Sequence, residues 1–382
     1  MAVIEQLWIL YLILRYKLVM VRMLASEMTV GVLYQVNLPP LIDGIPKPMK
    51  PEGYADSGAD IAFALNNANI KIVTPVVEPN SKIQTQWVFA DTEEGICIAL
   101  SKGANVLWLN TVLYSSHPIE KYLNQGGWVI GQDPVCVEKY DDKWQTNQLL
   151  KSHGLPIPHE YIINRSDKFQ VQTIRDHFNQ NFSFPFVVKP IRGRGSIGVT
   201  MVHNEQELNR ILSFKLPSSE FGDAVILEHY LPGQELTITV MPPGNYSFKS
   251  KDQYYSDYWC LPPVKRFSHK NGVAPYNGTV AVIKNSQVLT DEEIEDSVIE
   301  NLMFQCTKAA KLVEARAPIR IDCRQDVNGD YFLFDLNMKP NMTGSGRPGR
   351  ENQESLSALA AKKIGWSYTE LLLNILQQAW KR

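Results

Sequence analysis

The sequence predicts an α/β protein in which a small open parallel sheet is followed by two α+β subdomains that close on a ligand. Three observations predict it. From Met28 to about Gln132, short apolar runs alternate with helical ones, the pattern of a parallel sheet with crossover helices. Phe184 to Thr200, FPFVVKPIRGRGSIGVT, places glycines between two β-prone runs. Ala317 to Asn337, APIRIDCRQDVNGDYFLFDLN, reads as two strands joined at Asn328-Gly329, a strong hairpin signal.

Taken in order, residues 1–27 read as an extension. Leu7 to Leu14 is apolar, but Arg15, Lys17 and Arg22 follow it, so the run is far short of the roughly 20 residues of a membrane span. Charges placed after the apolar run rather than before it argue against a signal peptide. An amphipathic peripheral anchor is the alternative. MTVGVLYQV is the first core strand, and the Pro-rich connection from Leu38 to Pro51 is long for a βα loop. Its Lys47 and Lys50 either meet a substrate carboxylate or stand in solvent. A helix from Ser57 to Asn67, a strand IKIVTPVV, a helix near Glu93 to Gly103 capped by Thr92, and strands in NVLWLNTVLY and WVIGQ complete this unit. The expected division is 28–134 for the parallel sheet, 135–228 for a central lid-like subdomain, and 229–382 for a C-terminal one.

In the glycine-rich segment, Lys189 ends an apolar run and Gly193, Gly195 and Gly198 follow in G-x-G-x-x-G spacing. That spacing alone fits a dinucleotide fold, a phosphate flap or a flexible turn. The loop runs into Val199-Thr200-Met201-Val202, a strand, and the helix-like NEQELNRIL comes only later. A dinucleotide fold would need a helix directly after the glycines. The segment therefore reads as a hairpin flap whose backbone N–H groups close over phosphates, with a nucleoside triphosphate as occupant.

In the downstream hairpin a two-residue loop would set Cys323 opposite Phe334, Asp322 opposite Asp335 and Arg320 opposite Asn337. Period two then gathers Arg320, Asp322, Asp335 and Asn337 on one face and leaves Ile321, Cys323, Phe334 and Leu336 as core. Two carboxylates facing each other repel by roughly 3 kcal/mol at about 5 Å and an effective dielectric near 20. A divalent cation resolves that repulsion, and two carboxylates with an amide oxygen are the hard donors that Mg2+ prefers. A surface cluster neutralised by Arg320 alone is the competing reading.

These residues resemble the ATP-grasp ligases, in the D-alanine-D-alanine ligase-like branch, from about Asp142 to the C-terminus. The resemblance implies the ATP-grasp fold, ATP and Mg2+ as cofactors, and small-molecule substrates. Lys143, before Leu155-Pro156, is similar to the first ATP lysine of the family and Lys189 to the second; Gly195, Ser196 and Gly198 fall in its phosphate loop. Glu228 and Leu231 resemble the adenine hinge, and Glu235 the acid that accepts from the ribose hydroxyls. Arg320, with Lys189 and Ser196, matches the catalytic positions, and Asp322, Asp335 and Asn337 the magnesium ligands. Lys265 or Arg266 is expected to reach the phosphates. The implied chemistry is attack of a carboxylate on the γ-phosphate, then displacement of phosphate by an amine. Branches that attach an amino acid to a mycosporine ring through an imine are included, alongside dipeptide ligases. An ATP-grasp kinase, or a non-catalytic ATP-binding protein of synapsin type, is the alternative.

Departures from the branch fall on the substrate side. The first strand leads into NLPPLIDGIPKPMKPEGYADSGAD with no glutamate matching the one that binds an ammonium group in the wall ligases. Gly195 stands where those enzymes carry serine, and Asn341 and Gly346 replace substrate-loop residues. In NMKPNMTGSGRPGREN, Ser345, Gly346 and Arg347 match the positions that bind the carboxylate of the amine substrate, with Arg347 or Arg350 adding a bidentate donor. A helix should begin near Glu351. A net charge of -2 excludes a nucleic-acid partner recognised by charge, and the seven histidines lack H-E-x-x-H, which disfavours zinc. Five cysteines without paired spacing suit a reducing cytoplasm, and a homodimer stands open.

Overall fold

The computed structural model describes residues 25–44, 50–166, 171–179, 182–193, 197–214, 222–269 and 282–382. The extension 1–24, Lys47 of the Pro-rich loop, and Gly195 and Ser196 of the glycine loop lie outside the described residues. Among those described, no helix is long and apolar enough to cross a membrane.

The chain opens on β1 (Thr29–Tyr34), followed by α1 (Pro51–Asn67), β2 (Lys71–Ile72), β3 (Phe89–Ala90), α2 (Glu93–Ser101), β4 (Val106–Asn110), α3 (Ile119–Asn124) and β5 (Trp128–Ile130). Every pairing among these strands is parallel, in the order β2-β1-β4-β5 with β3 also beside β1. α1 begins six residues before the expected Ser57, because Pro51 takes the first helical position, where its fixed φ and missing N–H are at no disadvantage. IKIVTPVV supplies only the two residues of β2. α2 starts as expected, with the Thr92 hydroxyl accepting from the Gly95 N–H at 3.0 Å.

Next come α4 (Pro134–Tyr140), α5 (Lys143–Ser152), β6 (Glu160–Asn164), α6 (Val171–Phe178), β7 (Phe186–Pro190), β8 (Thr200–Val202), α7 (Glu205–Phe214) and β9 (Ala224–His229). They form a four-stranded sheet in the order β6-β9-β7-β8. β7 and β8 pair antiparallel, Phe186 with Val202 and Val188 with Thr200, so the glycine segment does connect a hairpin. Ile174, Phe178, Leu208 and Leu212 bury the outer face of this sheet in a core of its own.

The third sheet is built from β10 (Glu235–Met241), β13 (Trp259–Cys260), β14 (Val264–Arg266), β15 (Ser286–Val288), β16 (Ile319–Gln325) and β17 (Tyr331–Asn337). Around it lie the small hairpin β11 (Gly244–Ser247) and β12 (Asp252–Tyr255), and helices α8 (Asp291–Ile294), α9 (Ser297–Leu312), α10 (Leu356–Lys363) and α11 (Tyr368–Leu376). α10 starts five residues after the expected Glu351, at the Ser355 cap. This sheet shares its core with the parallel sheet: Leu33, Leu107 and Leu109 pack with Leu236, Ile238 and Ile321, while α1 packs with α11 on the other side. The central sheet is thus the part with a separate core, facing a joint body made from the two ends of the chain.

Candidate active site

A cleft of about 660 Å3 runs between the central sheet and that joint body. Each wall derives from strand alternation. On β16 and β17 Arg320 pairs with Asn337 and Asp322 with Asp335. The connecting loop, however, holds three residues: Gly329 N–H donates to Asp326 O at 3.3 Å, and Gly329 adopts φ 89, the left-handed conformation such loops need. The extra loop residue shifts the register of the outer ladder, and a bulge between Asp322 and Cys323 shifts it back. Cys323 therefore faces Leu333, which is buried, and Phe334 is not the core residue the two-residue loop implied; it lines the cleft.

Cations from both walls meet these acids. Arg320 grips Asp322 through two donors, Nε to Oδ1 at 3.2 Å and Nη2 to Oδ2 at 3.1 Å, and the Thr237 hydroxyl adds a bond to Oδ1 at 2.7 Å. Lys143, at the first turn of α5, reaches Asp335 at 2.7 Å. Burial pushes the Asp335 carboxyl up, but Lys143, Lys189 and Arg320 outweigh it and hold it below the usual range. Asp322, deeper, is raised by burial despite Arg320. Asn337 Oδ1 accepts from the Lys339 N–H at 3.1 Å.

Lys189 is buried and donates to Glu228 at 2.5 Å and to the Phe334 carbonyl at 3.1 Å, which joins the two walls. Glu228, read as part of an adenine hinge, is here the partner of Lys189, and burial raises its carboxyl. Leu231 is buried at the cleft wall. Glu235 accepts from His269 Nε2 at 2.8 Å and lies 3.7 Å from Arg324. Of Lys265 and Arg266, Arg266 is the register partner of Glu235, whereas Lys265 pairs with the core residue Leu236; neither lines the cleft. Gly193, Ile197 and Val199 do line it, and Gly198 has φ 80 in the turn before β8.

The loop expected to hold substrate is arranged differently from the sequence reading. Arg347 is buried against α1: its Nε donates to Asp60 at 2.8 Å, Nη1 to Ser81 O at 3.1 Å, and Nη2 to Asp56 Oδ1 at 2.5 Å. It does not line the cleft; Arg350, which shares the same two acids, does. Ser345 is exposed and does not line the cleft, and a side chain at Gly346 would come within 2.4 Å of the Asp60 carbonyl, so this glycine permits close packing on α1. Asn341 lines the cleft and accepts from Thr343 within its own turn.

Sequence reasoning missed three contributors. Asp56 and Asp60 sit at i and i+4 on α1, a spacing that puts both on one face. Glu160 lies directly opposite Glu228 on β6, and burial, with a further push from Glu228, raises it to about 7 against the pull of Lys189. Its signal was an acidic residue at the start of the apolar strand EYIIN.

The chain is similar to known ligases in both sequence and fold. The family described as D-ala D-ala ligase C-terminus matches residues 149–377, more than half of the chain. The D-alanine--D-alanine ligase of Mannheimia succiniciproducens is 25% identical over 236 residues, covering 62% of this chain and 67% of that protein. That of Pseudoalteromonas translucida is 27% identical over 237 residues, with 62% and 66% covered. Each is thus matched over about two thirds of its own length. In fold, the D-alanine--D-alanine ligase of Bacillus anthracis complexed with ATP superposes with a TM-score of 0.62 at 16% identity, over 92% of this chain and 96% of that one. The VanG D-Ala:D-Ser ligase of Enterococcus faecalis gives 0.63 at 15%, over 92% and 99%. With the hairpin face, the two cleft lysines and the match over its larger part, the chain belongs to the D-ala D-ala ligase C-terminus family, ATP-dependent ligases of the ATP-grasp fold.

Proposed function

We propose that the protein condenses an amino acid with a carboxyl or carbonyl-type acceptor through a phosphorylated intermediate, releasing ADP and phosphate. One observation carries the reading: Lys143 and Lys189 from one wall of the cleft point at the Arg320, Asp322 and Asp335 face of the other. Among the described residues no three His, Cys, Asp or Glu side chains gather to hold a metal, so a magnesium ion here needs oxygens from elsewhere. Asp322, Asp335 and the Asn337 amide offer hard donors, and phosphate oxygens fit the remainder. Bound MgATP would supply the phosphoryl group that makes the acceptor carbon electrophilic.

The chain's own contribution is charge placement. With nucleotide bound, Lys143 and Lys189 would turn from Asp335 and Glu228 to phosphate oxygens, and Arg320 would steady negative charge developing beside Asp322. Arg350, at the cleft, is the better-placed donor for an amino-acid carboxylate. Two amino acids, or mycosporine-glycine with an amino acid, are the candidate pairs. All five cysteines are free, in keeping with a reducing cytoplasm.

Screening acceptors by phosphate release tests the proposal. The nucleotide product should be ADP, and an oxygen label in the acceptor should appear in the released phosphate. AMP with pyrophosphate would refute it, and full phosphate transfer that ignores the amino acid would show a kinase.

A further inference from the structure

We infer that Lys339 is a binding residue for an anionic group of the acceptor, a carboxylate, and that the acceptor carries no ammonium group at this place; the inference rests on the ligase reading above. Lys339 lies two residues beyond Asn337, at the end of the cleft formed with the N-terminal turns of α1. Its Nζ donates to Asn110 Oδ1 at 3.0 Å and stands 4.1 Å from the centre of the Tyr54 ring.

Asn110 holds that lysine in place and is itself fully committed. It is 2% exposed, ends β4, and gives its Nδ2 hydrogens to Tyr54 O at 2.7 Å and Ser57 Oγ at 3.0 Å. A side chain at Gly58 would meet Val88 at 2.8 Å, so glycine there lets α1 sit close enough for these bonds. Three segments far apart in sequence are thereby locked around one ammonium group at the C-terminal edge of a parallel sheet, where α/β proteins take their ligands.

The neighbouring charges decide which ligand suits it. Lys50, the N-cap residue of the helix that carries Tyr54, also lines the cleft. Asp56, the carboxylate of α1 that lines the cleft there, is ion-paired with both Arg347 and Arg350. A free amino acid placed as acceptor would bring its ammonium group against Lys339 and Lys50, while a carboxylate would gain a charge-assisted bond from a lysine already oriented. Tyr54 offers an apolar wall beside that charge, which suits a flat ring.

Binding needs no turnover, so calorimetry on the full chain with MgADP can test the site. The probes are N-(3-oxocyclohex-1-enyl)glycine and its primary amide, which differ only in the anion. The wild type should bind the carboxylate about tenfold to a hundredfold more tightly, the scale of one charge-assisted hydrogen bond. Lys339→Met should abolish that preference without changing MgADP affinity, and Lys339→Arg should restore most of it. Equal binding of the two probes by the wild type, no binding of either, or a preference that survives Lys339→Met would overturn the inference. If no acceptor ever yields ADP, the ligase reading falls while the measured preference stands; turnover of a neutral acceptor untouched by Lys339→Met removes this site and leaves the ligase reading intact.

Discussion

Replacing Arg347 by alanine separates two accounts of the loop after β17. As a carboxylate fork in the cleft, Arg347 would raise the amino-acid KM on its loss by roughly one to three decades, the scale of a charge-assisted pair. The structure instead ties it to Asp60, whose side chain is fully buried, and to Asp56. Two opposite charges about 4 Å apart attract by about 4 kcal/mol at an effective dielectric of 20, and stranding a buried partner typically costs about 3–5 kcal/mol. Arg350 still reaches Asp60 Oδ2 at 3.1 Å, which puts the expected loss near the lower end. Burial already raises the Asp60 carboxyl, and the Arg347 bond opposes that rise. Without Arg347 the rise grows, so the variant's deficit is full where Asp60 is ionised and shrinks as the pH falls and the carboxyl is protonated. Urea unfolding at pH 8 and at pH 5 measures both quantities, and ATP titration checks that nucleotide affinity holds. A variant as stable as the wild type within about 1 kcal/mol, with amino-acid KM raised a hundredfold, would refute the structural account.

Asp335→Ala should lower turnover by at least about a thousandfold while the protein still unfolds cooperatively; because Lys143 and Asp335 keep contact with cleft solvent, lost stability should stay near 1–2 kcal/mol, and undiminished phosphate release would remove Asp335 from the metal set. Glu160 is raised to about 7, so the stability tied to its protonated form is complete below about 4.5 and disappears as the pH climbs through about 7. Glu160→Gln should therefore be more stable than the wild type by about 1–2 kcal/mol at pH 8, after allowing for one weakened bond from Asn147 or Gln148, and should show no advantage at pH 5. Parallel denaturation curves at the two pH values would contradict it.

Much of the candidate catalytic face was legible because strand alternation is local. Arg320, Asp322, Asp335 and Asn337 share a face in any β-hairpin that pairs Asp322 with Asp335. The expected register at that pair was right through two cancelling departures, a three-residue loop and a one-residue bulge. Neither is encoded by alternation. The bulge brings Leu333, rather than Phe334, opposite Cys323 in the core shared with β10, and that demand comes from packing across the sheet. The parallel sheet was legible for a similar reason, whereas the start of α1 was lost in a proline-rich stretch that read as loop.

What the sequence by itself determined is the set of periodic faces and the chemistry each can offer: a lysine-bearing hairpin with a glycine tip, a two-aspartate ladder, and a basic loop after it. Which charge meets which was decided only by the tertiary structure. Arg347 and Asp60 are 287 residues apart, Lys339 and Asn110 are 229 apart, and Lys143 and Asp335 are 192 apart. A side chain's ionic partner is chosen through space, by burial and by the competing charges around it, after backbone packing has brought distant elements together. Backbone periodicity carries no record of that choice, so the sequence offers Arg347 as a substrate ligand while packing pairs it with Asp60 and Asp56 of α1.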